Sequence, residues 1–400
     1  MSVGKRKFYY ADYEDIKSGK TTDIYFVRTK KILETKGLNK IRVVAEVTSG
    51  ELPNDWKWGI LCGVEEVATL FESIPVNVYS MPEGSVFYCE DSRGIREPVL
   101  IIEGAYGDFC LFETPMLGLL CQASGVATKA ARVKKAAGDK LVVAFGIRRM
   151  HPALCPMLDR AAYIGGLDGV SSVKGAETVN IKPMGTMPHA LIIVFGNQVE
   201  AWKAFDEIMP KEVPRVALVD TYYDEKTEAI MAAEALGGKL FAVRLDTPSS
   251  RRGDFAEIVR EVRWELDVRG YKHVKIFVSG GLDEHFIPKL IKAGAEAFGV
   301  GTSISNAPVV DFAMDIVEVE GKPAAKRGKL SGKKQVWRCP KCLVDVVLPF
   351  DASMPKCPHC GGQTEQMLKP LVENGKIVAE LPSPKEIRNY VLSQLKKLTL

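Results

Sequence analysis

The chain has no excess of charge of one sign, no long apolar run and few histidines. Its 400 residues carry 54 lysine plus arginine against 50 aspartate plus glutamate, a net charge of +4. No whole-chain polycation therefore speaks for a nucleic-acid partner. The longest apolar runs are strand-sized pieces such as Leu141–Phe145 and Leu191–Phe195, far below the roughly 20 residues of a membrane span. The opening MSVGKRKFYYADYED meets acid and aromatics where a secretory signal needs its apolar stretch. The expectation is a cytoplasmic chain with no membrane partner. Apolar residues at 46% and charged residues at 26% are the balance of a folded protein, which excludes disorder and collagen. The length suggests two or three domains at roughly 150 residues each.

Nine cysteines, an odd number, do not make a disulfide framework. Cys62, Cys89, Cys110, Cys121 and Cys155 are scattered among apolar neighbours and read as reduced thiols. The other four form the pattern Cys339-x2-Cys342-x14-Cys357-x2-Cys360. Each CxxC turn sets two sulfurs about a zinc-width apart, and the insert lets two turns close a tetrahedron, so a closed structural zinc site is expected. His359, inside the second knuckle, reads as a bystander.

Three stretches differ in texture. Residues 1–113 read as an α+β domain, with strands in IRVVAEVTSG, VNVYSMPEGSVFYCED and PVLIIEGAYGDF, a helix in GVEEVATLFES, and a turn at MPEG. Residues 114–320 alternate helical stretches with short apolar runs: LVVAFG, ALIIVFG, RVALVDTY, LFAVRLDT, VKIFVSGG and AFGVGT. The last four begin at Val216, Leu240, Val274 and Ala297, a spacing of one βα unit, which implies a parallel sheet or barrel. Residues 321–400 open with KPAAKRGKLSGKKQVWRCPK, read as a mobile basic connector, and continue into the cysteine module. They end in an amphipathic helix, PSPKEIRNYVLSQLKKL, with Pro384 in its first turn.

The residues just after each apolar run carry the chemistry, because in α/β barrels and doubly wound sheets those positions share one mouth. They read Phe145-Gly-Ile-Arg148-Arg, Asp220-Thr-Tyr, Arg244-Leu-Asp246, Ser279-Gly280-Gly281 and Gly299-Val-Gly301-Thr302. Glycines there let backbone amides approach a phosphate. The aspartates suit Mg²⁺ or ribose hydroxyls, or helix capping in the case of Asp220. Arg148 and Arg244 suit a carboxylate or phosphate, or structural ion pairs. His189, flanked by Gly185 and Pro188, lies in the same series of loops, whereas His151, His273 and His285 read as structural.

On TDIYF (Thr22–Phe26), LFETPMLG, FGIRR, GGLDGVSS, GTMPHA, VDTYYD, VRLDT and FGVGT, in that order, the chain resembles the nicotinate phosphoribosyltransferases, especially shorter archaeal-type members with a zinc-binding tail. The resemblance covers nearly the whole chain. It implies a type II phosphoribosyltransferase fold, an N-terminal α/β domain packed on an incomplete α/β barrel. The reaction it implies joins nicotinate to 5-phosphoribosyl-1-diphosphate (PRPP) with coupled ATP hydrolysis. Phe145 would stack on the pyridine, with Asp23 and Tyr25 of a second subunit completing the site in a homodimer or higher homo-oligomer. Arg244 would face the carboxylate, Asp168 would lie near the ring, and Arg148 would hold the ribose phosphate. Ser279, Gly280, Gly281, Gly299, Gly301 and Thr302 would cradle phosphate, helped by Lys329 and Lys333. Asp220 and Asp246 would serve ribose and Mg²⁺, and His189 stands where the family places its phosphorylated histidine.

Two rivals remain at this point. Quinolinate phosphoribosyltransferase shares the fold class and the SGVAT-like and SGG-like stretches, but its substrate's two carboxylates call for more cations. A zinc-ribbon nucleic-acid-binding protein would use the cysteines and the basic connector, and leaves the strand-end residues unexplained.

Overall fold

The computed structural model describes residues 8–400. The chain divides into two compact units, one made by the residues up to Thr128 together with Pro308–Thr399, the other by Lys129–Ala307.

In the first unit, β-rich apolar runs build a seven-stranded antiparallel sheet in the order Lys322–Pro323, Phe312–Val319, Arg42–Ser49, Pro98–Ala105, Val76–Ser80, Lys369–Glu373 and Lys376–Ile377. Val47 sits opposite Leu100 on one side and Met314 on the other. The helix Val64–Phe71 adds Val64, Val67, Ala68 and Phe71 to the same core, a stripe at helical spacing. The MPEG turn forms, with the amide of Ser85 donating to the carbonyl of Pro82 at 3.0 Å. Its second arm, Val86–Phe87, pairs with Gly59–Ile60 instead of returning on Val76–Ser80. The closing helix Pro384–Leu395 starts with Pro384 and a Ser383/Glu386 capping box. Near its end, Gln394 accepts from the amide of Val86 and donates to the carbonyl of Gly84.

The basic stretch 322–341 is not a free connector. Lys326 and Lys329 pair with Asp315, Lys333 with Glu103, and Lys334 with Glu46, while Lys334–Arg338 is a strand. Counting charge along the sequence misses this, because Glu46 and Glu103 lie more than 200 residues upstream.

The helical run Tyr106–Ala137 is, by length and composition, long and apolar enough to cross a membrane. Its Ala123, Val126, Ala127, Ala130 and Ala131 are buried at helical spacing, and Lys129 and Arg132 pair with Glu284. These are the marks of a core helix.

The second unit is a parallel sheet in the order Gly169–Val170, Leu141–Ala144, Ala297–Val300, Lys275–Ser279, Leu240–Leu245 and Arg215–Leu218. The first strand of this unit pairs with its last, Val143 lying against Gly299, as in a closed barrel. The second and third strands, Gly169–Val170 and Arg215–Leu218, are the two sheet edges, so the barrel is open there. The run ALIIVFG, expected as a strand, is instead the helix His189–Phe195, ended by Gly196 at φ 71°. A short apolar run does not by itself distinguish helix from buried strand. The true second strand is two residues long, too short to raise a hydrophobic signal.

Candidate active site

The ends of the parallel strands bring together Phe145, His189, Asp220, Arg244, Asp246 and Ser279. Gly299 lies in the last strand directly beneath Phe145, where an added Cβ would stand 2.4 Å from the ring carbons. The bare backbone therefore makes the seat of the ring. Phe145 also packs on Phe277, centroid to centroid 5.8 Å, and the Arg244 guanidinium carbon lies 5.6 Å from its centroid.

Arg244 is held from three sides. Its Nε donates to Ser279 Oγ at 3.0 Å, Nη1 to Thr186 Oγ1 and the Met187 carbonyl, and Nη2 to Asp246 Oδ2 at 2.8 Å. Ser279 Oγ in turn donates to Asp246 Oδ1 at 2.7 Å. Gly280 and Gly281 follow at φ 91° and 67°, a reversal that L side chains resist.

Asp220 is the least ordinary residue of the group. Its φ is 143°, rare for a non-glycine residue, and its side chain is 4% exposed. Oδ2 accepts from the Asp246 amide and the Thr247 hydroxyl, both at 2.8 Å, while Oδ1 is buried without a hydrogen-bond partner. Burial, with Asp246 and Glu225 nearby, pushes this carboxyl up to about 7. His189 Nε2 lies 3.7 Å from Asp220 Oδ1 and 3.8 Å from Asp246 Oδ2, and Nδ1 lies 3.0 Å from Thr221 Oγ1. Burial lowers the imidazole below its usual value, so the ring is neutral at neutral pH.

The other expected residues are more widely spread, some beside Phe145 and some in the first unit. Asp168 Oδ2 accepts from Lys134 Nζ at 2.8 Å and from the Val142 amide at 2.9 Å. It therefore flanks the beginning of the strand whose end leads to Phe145, and it does not join the ring site. The loop GGLD runs into a strand and not out of one, which the motif alone does not reveal. Arg148 is exposed on the turn Ile147–Arg149. Gly301 and Thr302 follow the last strand, Thr302 opening a four-residue helix. Asp23, Tyr25, Lys329 and Lys333 belong to the first unit. Asp23 begins the helix Ile24–Thr35 and accepts from Thr114 Oγ1 at 2.9 Å, and Tyr25 is 55% exposed. Lys333, besides its pairing with Glu103, lies 4.0 Å and 3.4 Å from the ring centroids of Tyr79 and Phe350.

Sequence reasoning missed Glu228, wholly buried in the helix Glu225–Leu236, whose carboxylate accepts the amides of residues 220–223. A signal was present. Glu225 and Glu228 fall on the same helical stripe as Ala229, Ala232 and Ala233, the face that turns inward.

The four cysteines converge in the first unit, their sulfurs all within 4.8 Å of one another. Cys339–Cys360 and Cys342–Cys357 are each 3.5 Å apart, and Cys342–Cys360 3.8 Å. A zinc tetrahedron with bonds of about 2.3 Å sets its sulfurs about 3.8 Å apart. Both knuckles use the same device, a left-handed residue after the second cysteine: Leu343 at φ 60° and Gly361 at φ 69°. The Leu343 amide returns to the Cys339 carbonyl and the Gly361 amide to that of Cys357. The amides of Cys360 and His359 help draw the Cys357 thiol down to about 6, favouring the thiolate that a metal needs. The cluster could hold a zinc ion.

Comparison with known proteins agrees with this architecture. Residues 23–124 match the family described as quinolinate phosphoribosyl transferase, N-terminal domain, and residues 126–315 match its C-terminal domain. A nicotinate phosphoribosyltransferase of Mycobacterium tuberculosis is 35% identical over 277 residues, which cover 66% of this chain and 57% of that relative's length. The solved structure of nicotinate-nucleotide pyrophosphorylase from Pyrococcus furiosus is 61% identical, with a TM-score of 0.95 over 99% of this chain and 100% of that one. Human nicotinic acid phosphoribosyltransferase shares the fold at 19% identity, with a TM-score of 0.72 over 94% of each chain. With both domain families matched in order along it and a near-complete structural counterpart at high identity, the chain belongs to the type II phosphoribosyltransferase family.

Proposed function

We propose that this chain is a nicotinate phosphoribosyltransferase of NAD salvage, joining nicotinate to PRPP to give nicotinate mononucleotide and diphosphate. The observation that carries the reading is the aromatic platform of Phe145 with one guanidinium beside it, at the same strand ends as two carboxyl groups and two glycine-rich loops. A pyridine ring fits the platform and its carboxylate fits Arg244. Guanidinium has five N–H donors, of which Arg244 spends four on protein acceptors and keeps one, on Nη2. One free donor suits a single carboxylate. Quinolinate brings two, and Arg252, on the loop after Asp246, spends Nη1 on the carbonyls of Thr247 and Gly280 and stacks 4.0 Å over the Phe255 ring. That favours nicotinate.

Transfer builds positive charge at the anomeric carbon while diphosphate leaves, so the site must align the ring nitrogen with that carbon and stabilise both charges. Asp220 and Asp246 face the sugar side, and the loops at 279–281 and 299–302 take phosphate oxygens, with Arg148 on the ribose phosphate. The unpartnered Oδ1 of Asp220 beside the Asp246 carboxylate fits Mg²⁺, which supplies charge neutralisation on the diphosphate when bound. His189, half-buried beside Asp220 and Asp246, is read as the acceptor of the ATP γ-phosphoryl group, with ADP leaving. Exposed Tyr25 is read as the second ring-stacking group, offered to the site of a neighbouring subunit in a homodimer.

The test is a product assay with PRPP and Mg²⁺, offering nicotinate, nicotinamide or quinolinate separately, with and without ATP. Nicotinate mononucleotide from nicotinate is expected, with an ATP-stimulated yield lost in His189→Ala. Carbon dioxide release from quinolinate with no product from nicotinate would overturn the assignment. Mixing Tyr25→Ala with Phe145→Ala chains should restore activity that neither has alone if subunits share sites.

A further inference from the structure

Four consecutive amides in the loop after the third strand of the parallel sheet point at one side chain. Glu228 Oε2 accepts from Asp220 at 2.8 Å and Thr221 at 3.1 Å, and Oε1 from Tyr222 at 2.8 Å and Tyr223 at 3.0 Å. Such a run of amides is the arrangement that elsewhere cradles a bound anion. Here the chain fills it with its own carboxylate, which is 0% exposed. The two residues whose amides share Oε2 both meet His189: Thr221 Oγ1 lies 3.0 Å from Nδ1, and Asp220 Oδ1 lies 3.7 Å from Nε2, beside Asp246 Oδ2 at 3.8 Å. Asp220 does so at φ 143°, a conformation that persists only when the surroundings over-determine it.

We propose that Glu228 is a positioning residue, a carboxylate-filled backbone nest that sets Thr221 and Asp220 against the two nitrogens of His189 and so fixes which nitrogen carries the proton. This rests on the reading of His189 as the phosphoryl acceptor. With the Thr221 hydroxyl donating to Nδ1 at 3.0 Å, the neutral ring carries its hydrogen on Nε2, the nitrogen turned toward Asp220 and Asp246. Glu228→Gln changes one heavy atom, yet it presents an NH₂ group to two of the four amides. A carboxylate that merely braced the helix would affect stability and leave the imidazole alone.

The experiment compares wild type, Glu228→Gln, Thr221→Val and the double variant as full-length protein. Three readouts are taken: nitrogen-15 spectra of the histidine rings without substrate, with His189 assigned through His189→Ala; amide exchange of the peptide spanning 219–224; and steady-state kinetics with and without ATP. In Glu228→Gln, exchange in that peptide should quicken about tenfold or more. His189 should pass from one tautomer to a mixture, and ATP-stimulated kcat should fall about 100-fold, with the KM for nicotinate within about twofold. Thr221→Val should shift the same tautomer, and the double variant should be no worse than the worse single one. Wild-type His189 signals in Glu228→Gln, or additive losses, would overturn the proposal. If Glu228→Gln does not fold, Thr221→Val decides alone, and an unchanged His189 tautomer there refutes it. If the wild type proves indifferent to ATP, the reading of His189 fails, while the ring spectra and exchange still decide the role of Glu228.

Discussion

Gly299→Ala would probe the ring platform with a single methyl group. The new Cβ would lie 2.4 Å from two ring carbons of Phe145 and 3.2 Å from Ser279 Cβ. The backbone has little room to yield, since Gly299 is paired with Val143 on one side and Ser279 on the other. The ring must therefore move, leaving Phe277 and Arg244. Overpacking of this kind costs about 1–3 kcal/mol. In a domain of 150–250 residues each kcal/mol lowers the melting midpoint by about 2–4 °C, so a 2 kcal/mol cost appears as a fall of about 4–8 °C. Losing 1–2 kcal/mol of platform binding raises the KM for nicotinate about 5- to 30-fold. Calorimetry and nicotinate titration at saturating PRPP measure the two effects. In a Phe145→Ala background the same glycine change should cost under about 0.5 kcal/mol, because the methyl then enters vacated space. An unshifted midpoint together with an unchanged KM in Gly299→Ala would refute the seat described for Phe145.

Asp220, raised to about 7 by burial, holds its proton in the fold at pH values where the unfolded chain has lost it, near 3.9. Its stabilising contribution is therefore full below about pH 4 and lost as pH rises to about 7, an effect on the order of 4 kcal/mol. Asp220→Asn should flatten that part of the stability–pH curve, as read by denaturant titrations between pH 4 and 8. Lys334 and Glu46 form a pair 8% and 3% exposed. Lys334→Met should cost about 3–5 kcal/mol by leaving a buried carboxylate alone, and adding Glu46→Leu should recover most of it, as thermal unfolding would report. Metal analysis should find one zinc per chain, and Cys339→Ser or a strong chelator should remove it and lower the midpoint of the first unit.

The strand ends were legible because a parallel βα repeat puts chemistry at one predictable place per unit, and the strands starting near 216, 240, 274 and 297 agree with those formed to within a residue. The cysteine pattern was legible because knuckle spacing is a local constraint. Asp168 was not, since a loop that enters a strand and one that leaves it share a composition. His189–Phe195 was read as a strand because an apolar run of that length suits either structure.

Sequence by itself determined what depends on neighbours along the chain: the βα period, the cysteine knuckles, the capped terminal helix and the residue types at each strand end. Tertiary structure alone decided what depends on distant partners. It left the barrel open between its second and third strands, neutralised the basic stretch 322–341 with distant acids, and turned four amides onto Glu228. The physical reason is that hydrogen-bond closure and charge pairing are settled by proximity in space, and only folding brings those groups together.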